Sequence, residues 1–224
     1  MPSSRLVQRA AEDVFTDIYA KNAWGGSDSF SGTGSDLHQT RVIAREIPGL
    51  LSDLGAASML DVPCGDFHWM SRVDLTGIDY TGADIVDALI AANQQRHGRA
   101  GLRFRRLNLI SDPLPRVDLV FCRDCLVHLP FADIWAALRN IGRSRSEYLL
   151  TTTFTDRTAN DDIAMGDWRP LNLECAPFLL PPPVRVINEG CTEGDGFFGD
   201  KSLGLWRVAD IRARLRRAPS QFRA

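Results

Sequence analysis

The spacing of apolar and polar residues along the chain predicts an α/β fold. Between residues 58 and 153, short apolar runs of strand length alternate with stretches of helical spacing. Strands that alternate with helices indicate a parallel sheet with crossover helices. We expect strands at Ser58–Val62, Tyr80–Ile85, Leu102–Leu109, Val117–Arg123 and Glu147–Thr153, and helices at Asp66–Val73, Asp87–His97 and Phe131–Ile141.

Two later runs, Val184–Asn188 and Leu203–Val208, suit final antiparallel strands joined by a Gly-rich turn. The segment before them, Phe154–Pro183, is too long for an ordinary connection. Its Trp, Leu and Phe residues favour an ordered, functional loop. The predicted fold class is therefore α/β, with one mostly parallel sheet of seven strands and helices on both faces.

The first 56 residues predict a helical cover over this sheet. Apolar residues recur at helical spacing from Leu6 and Val7 to Tyr19, and a second helix is expected at Thr40–Leu54, interrupted near Pro48. The stretch between them, Trp24–Ser35, is rich in Gly and Ser but carries large aromatics, so we expect an ordered loop that covers a ligand. We expect one domain, 1–224, with a cover at 1–56, a core at 57–210 and a basic tail at 211–224.

Composition excludes several function classes. The chain is 44% hydrophobic and 24% charged with a formal net charge of -2, which provides no electrostatic case for binding nucleic acid. No apolar run approaches the ~20 residues of a membrane span, and the first residues lack the apolar core of a signal peptide. The Cys122–Cys125 pair has no second pair to complete a zinc site, so we expect free thiols in a cytoplasmic protein. The oligomeric state stays open, a homodimer included.

Polar residues follow the predicted strands at their carboxyl ends, where parallel sheets bind ligands. Gly65 lets the backbone approach such a ligand, and a helix that starts at Asp66 would present free N–H groups to its polar end. A carboxylate at Asp84 is placed to accept both hydroxyls of a ribose. The order of these signals predicts a cofactor-binding enzyme. The strand-end residues are Asp61, Asp84, Asn108 and the pair Arg123–Asp124.

Three stretches resemble the class I S-adenosylmethionine-dependent methyltransferases. They are Asp61-Val62-Pro63-Cys64-Gly65-Asp66, Cys122-Arg123-Asp124-Cys125-Leu126-Val127-His128-Leu129 and Tyr148-Leu149-Leu150-Thr151-Thr152-Thr153. The resemblance covers about Ser58 to Val208 and implies a Rossmann-like sheet. Pro63 and Cys64 depart from the family's usual acid followed by several glycines. This variant is similar to a bacterial subgroup found near polysaccharide genes, some members of which methylate sugar hydroxyls, including mannosides of mycobacterial polysaccharides.

The resemblance also implies roles in a cofactor site. Cys64, Gly65 and the helix start would cradle the methionine end of S-adenosylmethionine, with Asp61 near its ammonium. Asp84 would hold the ribose, and Ile85 would lie against the adenine.

Further roles complete the implied cofactor site. Asn108 and Leu109 would flank the adenine edge; the family often has Asp at position 108, but an amide still offers an acceptor to the adenine amino group. Arg123 would pair with the cofactor carboxylate as a charge-assisted contact. Independently of the resemblance, the loop composition predicts that Trp24 closes over the cofactor with its loop, because Gly and Ser provide hinges and the aromatic residues provide anchors.

His128 is the predicted catalytic base. Methyl transfer requires alignment and exclusion of water, and a poorly acidic hydroxyl also requires a base. His128 lies about one helical turn beyond Asp124, so we expect Asp124 to orient its imidazole. Two alternatives stay open: His68 beside the first motif is the base, or His128 packs under the turn at Pro130 and is only structural.

Acceptor and metal sites are predicted from the later loops. The rings of Trp168 and Trp206 suit stacking on a sugar, although aromatic residues in such places more often belong to the core, and Arg169 beside Trp168 is a further acceptor-binding candidate. A magnesium ion is a further expectation, because several carboxylates could supply oxygen ligands, although some equally suit a loop start or helix cap. These carboxylates are Asp161, Asp162 and Asp167 with Glu189 or Glu193.

The acceptor is expected to be a small molecule or an oligosaccharide. N-methyl transfer remains an alternative, although Arg123-Asp124-Cys125 stands where many N-methyltransferases carry Asn/Asp-Pro-Pro-aromatic. A noncatalytic binding module is disfavoured by the acids at Asp61 and Asp84. A nicotinamide dehydrogenase is disfavoured by the missing Gly-x-Gly-x-x-Gly.

Overall fold

The computed structural model describes residues 10–26 and 28–217, which are organised around one sheet. The strands are β1 (Ser58–Asp61), β2 (Asp79–Asp84), β3 (Leu102–Arg106), β4 (Leu119–Cys122), β5 (Tyr148–Phe154), β6 (Arg185–Asn188) and β7 (Lys201–Arg207). The α-helices are α1 (Ala11–Ala20), α2 (Leu37–Leu54), α3 (Asp87–His97), α4 (Phe131–Ser144) and α5 (Val208–Leu215). Leu6 and Val7, assigned above to the first helix, lie outside the described residues.

The predicted Rossmann-like, mostly parallel sheet of seven strands is confirmed. Its strand order is β3-β2-β1-β4-β5-β7-β6. The first five strands are mutually parallel, and β7 runs antiparallel to both β5 and β6. After β1 the chain adds β2 and β3 toward one edge of the sheet, and from β4 onward it adds strands toward the other edge. A crevice therefore opens at the carboxyl ends of β1 and β4, the usual ligand position in such sheets.

Alternate side chains of the central strands enter two cores on opposite faces of the sheet. In β1, Met59 packs on the face covered by α2, whereas Leu60 packs on the face covered by α4 and α5. In β4, Val120 and Phe121 divide in the same way. Because Leu60 is completely buried, its replacement by Ala should cost about 2–5 kcal/mol of stability.

Helix α2 is continuous, contrary to the expected interruption near Pro48. It runs from Leu37 to Leu54 with Pro48 inside it. Ile43, Ile47 and Leu50 are completely buried along one face of this helix. Their burial offsets the single backbone hydrogen bond that a proline removes.

The helix expected at Asp66–Val73 is absent. Turns occupy this segment, with only a short 3₁₀ turn at Met70–Arg72. Gly65 and Phe67 have φ angles of 52° and 58°, a left-handed backbone that a right-handed α-helix cannot contain. The Phe67 ring packs 5.3 Å from Tyr80 and 5.0 Å from Phe104, so core packing favours the turn over the helix.

The long segment between β5 and β6 is ordered without regular secondary structure. Asn160 donates to the carbonyl of Asn172 at 2.8 Å, and Asn172 donates to the carbonyl of Arg157 at 2.7 Å. Such side-chain bonds replace the ladder that a strand or helix would provide.

The segment expected to be a basic tail begins inside α5, where Ile211 is completely buried. Residues 218–224 lie outside the described part. Among the helices of the described residues, none has the length and apolarity that crossing a bilayer requires.

Candidate active site

A cavity of about 510 Å³ lies at the carboxyl ends of the central strands, beneath the N-terminal cover. Its size is typical of a site for a nucleotide-sized ligand. Most residues that the sequence assigned to the site line it. They are Trp24, Asp61, Cys64, Gly65, Asp84, Ile85, Asn108, Leu109, Arg123, Asp124, His128 and Trp168.

Asp84 ends β2 with its carboxylate turned into the loop after β1. One oxygen accepts the N–H of Val86 at 3.0 Å, and the other accepts the N–H of Gly65 at 3.2 Å. Burial raises the pKa of Asp84 to about 6, although these two hydrogen bonds act to lower it. Each oxygen keeps a lone pair, so the carboxylate can still accept two hydroxyl groups.

Asp61 ends β1 and is almost completely buried at the floor of the cavity. Its carboxylate accepts the hydroxyl of Tyr80 at 2.5 Å. Burial raises the pKa of Asp61 to about 8, and nearby Asp84 adds to the shift. A buried carboxyl of this kind ionises readily only when a cation is beside it.

The turn after β1 does not present the free N–H groups that the sequence predicted. The N–H of Cys64 donates to the carbonyl of Ala83 at 2.8 Å, and that of Gly65 donates to Asp84. The N–H of Asp66 donates to the Ser31 hydroxyl at 3.2 Å. Since no α-helix follows, the expectation of a helix N-terminus at the ligand is wrong. The turn instead brings its backbone close to the cavity.

Ile85, Asn108 and Leu109 line the cavity beyond the ends of β2 and β3. The Asn108 side-chain oxygen accepts the N–H of Ile110 at 2.9 Å. This contact fixes the amide and leaves its oxygen one further lone pair. The arrangement suits a flat heteroaromatic ring with a polar edge.

Arg123, which follows β4, belongs to a buried charge network. Its guanidinium donates to Glu189 at 2.6 Å and to the Gly34 carbonyl at 2.8 Å, and it pairs with Asp124 at 3.2 Å. Lys201 contacts the same Asp124 carboxylate at 2.7 Å. These partners occupy most N–H groups of Arg123, so its main role is to hold the cover loop against the strand ends. At most one N–H, on Nη1, therefore remains for the predicted pairing with a cofactor carboxylate.

The sequence reading missed Lys201 and the role of Glu189 in this network. Burial opposes the charge on Lys201, but Asp124 and Glu189 outweigh it and raise the pKa of Lys201. Burial likewise opposes ionisation of Asp124, but Arg123 and Lys201 lower its pKa. A lysine at the start of the mostly apolar β7 was the available signal, because a buried charge requires a partner.

The cavity holds the His128 imidazole on the short turn after β4. Its Nδ1 lies 2.9 Å from the carbonyl oxygen of Asp167. A carbonyl can only accept, so Nδ1 carries the proton and Nε2 of the neutral ring is left basic. Burial lowers the pKa of His128, which keeps the ring neutral near pH 7. The indole of Trp24 stacks on it with ring centroids 4.7 Å apart.

Asp124 does not orient His128, contrary to the prediction. The Asp124 carboxylate is engaged by Lys201, Arg123 and the hydroxyl of Thr152. The carbonyl of Asp167 occupies the position expected for a carboxylate. A left-handed backbone at Asp124, with φ 50°, breaks the helical path on which that prediction depended.

Two predicted acceptor residues do not line the cavity. Trp206 is completely buried in the sheet, and its indole N–H donates to the Pro181 carbonyl at 2.7 Å. Arg169 is buried behind the turn that carries His128 and donates to backbone carbonyls. The sequence showed residue types suited to a sugar, but tertiary packing determined where they point.

Trp168 does line the cavity, at its mouth, with 44% of its surface exposed. Its ring meets Phe198 edge-on at 4.9 Å and Phe154 at 6.0 Å. These three rings form an aromatic part of the cavity wall, which the carboxylates of Asp124 and Glu193 also line.

The cover is fastened to the core by Asp66. The Asp66 carboxylate accepts the Ser29 hydroxyl at 3.0 Å and the Phe30 N–H at 2.9 Å. On the other side of the cavity, Thr33 donates to Glu193 at 2.7 Å. Residues Phe30 to Ser35 of this loop therefore form part of the cavity wall.

The remaining site candidates are not supported. Within residues 10–26 and 28–217, no group of three or more His, Cys, Asp or Glu side chains could hold a metal ion. The expected magnesium ligands are therefore not assembled. His68, the alternative base, is not among the residues that line the cavity. The five cysteines are free.

Residues 60–145 match the family described as a methyltransferase domain. The match covers less than half of the chain, and this segment is therefore similar to a methyltransferase domain. The matched residues include the second half of β1, all of β2, β3, β4 and α4, and with them the acids at the cavity floor. No match to a curated protein sequence was found.

Several solved structures share the fold of this chain. The 1,6-didemethyltoxoflavin-N1-methyltransferase of Burkholderia thailandensis has a TM-score of 0.64 at 19% identity, over 88% of this chain and 86% of its own. The N-methyltransferase NodS of Bradyrhizobium japonicum has a TM-score of 0.61 at 14% identity, over 86% and 97%. The [4+2]-cyclase SpnF has a TM-score of 0.51 at 20% identity, over 77% and 71%. One of the three is a cyclase, so the fold alone does not define the reaction.

Proposed function

We propose that this protein is an S-adenosylmethionine-dependent methyltransferase whose acceptor atom is a hydroxyl oxygen, most simply of a mannoside-like sugar or oligosaccharide. The observation that carries the proposal is the His128 imidazole. It lies in the cavity with Nδ1 bonded to the Asp167 carbonyl, and its Nε2 is therefore basic. A hydroxyl acceptor needs such a base, because its own pKa is far above neutral.

The residues of the cavity fit S-adenosylmethionine. Asp84 has two lone pairs for the ribose hydroxyls, and Asp61 offers a carboxylate to the ammonium. Ile85 and Leu109 provide apolar surface for the adenine, beside the Asn108 amide. Two of the similar structures, the 1,6-didemethyltoxoflavin-N1-methyltransferase and NodS, contain bound S-adenosylhomocysteine, which supports this cofactor.

His128 would act in the proton transfer. When bound, S-adenosylmethionine supplies a methyl group whose transfer leaves the bonding electron pair on sulfur. His128 Nε2 takes the hydroxyl proton as the acceptor oxygen becomes nucleophilic. Trp24 and the rest of the cover exclude water, which would otherwise compete for the base and the methyl group.

The wall near His128 supports a hydroxyl-rich acceptor. Trp168 lines the cavity and is partly exposed, and sugars stack on exposed aromatic rings. Asp124, Lys201 and Glu193 line the same cavity and provide acceptors and a donor for ring hydroxyls. The pairing of Asp124 with Lys201 keeps this region close to neutral, which suits an uncharged sugar.

Nitrogen is the second candidate acceptor atom. Glu193 and Asp124 place carboxylates on the cavity wall, where they could hold an amine before it loses its proton. An amine of ordinary pKa depends less on a protein base than a hydroxyl does. His128 therefore distinguishes the two acceptor classes.

The test is an acceptor screen with S-adenosylmethionine labelled in the methyl group. Calorimetry should first show micromolar binding of S-adenosylhomocysteine, on the order of -8 kcal/mol. We expect label in sugars or oligosaccharides, with mass spectrometry locating it on oxygen. Label on nitrogen would support the second candidate. Tight cofactor binding without transfer to any acceptor class would indicate a noncatalytic binding module.

A further inference from the structure

Arg169 forms hydrogen bonds to the backbone of the turn that carries His128. Its Nη1 donates to the carbonyls of Leu126 and Val127 at 3.1 and 2.7 Å, and its Nη2 donates to that of Leu129 at 2.9 Å. Its Nε donates to the carbonyl of Asp161 at 3.1 Å. One guanidinium thus binds three carbonyls that flank His128 in sequence.

The contacts of Arg169 are unusual for a buried cation. Only 6% of its surface is exposed, and its hydrogen-bond partners in the described structure are backbone carbonyls. Burial lowers the pKa of Arg169 to about 10 despite Asp162 and Asp161 nearby. Burying a cation against neutral dipoles opposes folding, so such an arrangement is better explained by the geometry it enforces.

The loop that carries Arg169 also holds His128 itself. The N–H of Gly166 donates to the His128 carbonyl at 2.9 Å, and the carbonyl of Asp167 accepts from its ring. The N–H of Arg169 donates to the carbonyl of Val127 at 3.2 Å. The loop thereby fixes the backbone, the ring orientation and the tautomer of His128.

We propose that Arg169 is a positioning residue that holds the His128 turn so that basic Nε2 faces the acceptor. This inference rests on the proposed function, in which His128 is the base. Arg169 does not line the cavity. It therefore acts through His128 and not on a ligand.

Arg169 also contributes to the electrostatic environment of His128. The charged groups that act on this imidazole are Asp124, Lys201 and Arg169. Burial is the largest effect and lowers the His128 pKa. Among the charges, Asp124 raises this pKa, whereas Lys201 and Arg169 lower it. Removal of the Arg169 charge should therefore raise the pKa of His128.

The experiment combines histidine NMR with turnover in the full chain. ¹⁵N-histidine spectra report the tautomer and pKa of each ring, and the His128→Asn variant assigns the signal. Arg169→Gln removes the charge, whereas Arg169→Lys keeps the charge but loses the planar fork. Arg214→Gln is the matched control: Arg214 also donates to carbonyls, those of Leu179 and Pro177, but on α5.

Arg169→Gln should raise the His128 pKa and populate the second tautomer. Turnover should fall about 10- to 100-fold through misplacement of the base, with the affinity for S-adenosylhomocysteine unchanged. In Arg169→Lys the pKa should stay low while turnover falls, which a purely electrostatic role would not produce. Arg214→Gln should behave as wild type. If Arg169→Gln does not fold, the His128 spectrum and the turnover of Arg169→Lys test the positioning role of Arg169.

A wild-type His128 spectrum in folded Arg169→Gln, or full turnover in Arg169→Lys, would overturn the inference. Failure of the proposed function has a different signature. In that case Arg169→Gln would still shift the His128 signal, but His128→Ala would turn over normally or no acceptor would be methylated.

Discussion

The indole of Trp24 stacks on the imidazole of His128, with ring planes inclined by 27°. This contact joins the N-terminal cover to the turn after β4 and shields one face of the imidazole from water. Burial disfavours the charged form of a histidine, and the His128 pKa is lowered for this reason. The cover thus helps to keep the base neutral.

Removal of this stack should change the pH dependence of turnover. In Trp24→Ala, His128 gains water, so its pKa should rise toward the ordinary histidine value. The neutral base then forms only at higher pH, so the acidic limb of the kcat–pH profile should shift to higher pH. Trp24→Phe keeps an aromatic partner and should move it less. Identical acidic limbs in wild type and Trp24→Ala would show that the stack does not tune the base.

Asp84 should carry a large part of the cofactor affinity. Asp84→Asn removes a charged acceptor facing the ribose site and should weaken binding of S-adenosylhomocysteine by about 1.5–3 kcal/mol. Asp87→Asn is the control, because this nearby acid is exposed and does not line the cavity. Calorimetry measures both. Equal affinity in wild type and Asp84→Asn would remove Asp84 from the ribose site.

Cofactor binding should strengthen as pH rises toward 8. In the free protein the pKa of Asp61 is about 8, so its carboxyl is mostly protonated at pH 7. Pairing with the ammonium requires the ionised form, so binding should release a proton, and affinity should fall as pH falls below 8. Calorimetry in buffers of different ionisation enthalpy counts that proton. Asp61→Asn should bind weakly and lose this pH dependence; proton release that persists in the variant would assign it elsewhere.

The cover should become more protected when ligand binds. In the wild type, amide hydrogen exchange from residue 28 to Ser35 should slow on addition of S-adenosylhomocysteine, because the loop forms part of the cavity wall. Asp66→Ala removes the acceptor that fastens Ser29 and Phe30, so exchange there should be fast without ligand. Asp74→Ala, at an exposed turn, is the control. Unchanged exchange in Asp66→Ala would show that other contacts hold the loop.

Periodicity was sufficient to predict the sheet, because it reports burial directly. The strands carry apolar residues suited to two buried faces, and their order with the helices implied parallel pairing. The acids at Asp61 and Asp84 lie where strand ends predicted them. Local spacing failed after β1, where left-handed residues at Gly65 and Phe67 replaced the expected helix. Nothing in that spacing encodes the packing of Phe67.

The partners of the site residues were not predictable from spacing. The assignment of Asp124 to His128 assumed a helical turn, whereas the actual partner, Asp167, is distant in sequence. Lys201 reaches Asp124 across β5, a contact that depends on the sheet order. Arg169 illustrates the same difficulty. Its residue type suggested a ligand contact, but it lies behind the turn and donates hydrogen bonds to backbone carbonyls.

The central claim, that His128 is the base of a methyl transfer to oxygen, is tested most directly by turnover of His128→Ala. His38→Ala is the matched control, since His38 is exposed on α2. With the acceptor found in the screen, His128→Ala should remain folded and bind S-adenosylhomocysteine as the wild type does. Its kcat should be lower by about 100-fold or more, while His38→Ala is unaffected. A folded His128→Ala protein with near-normal kcat would contradict the account.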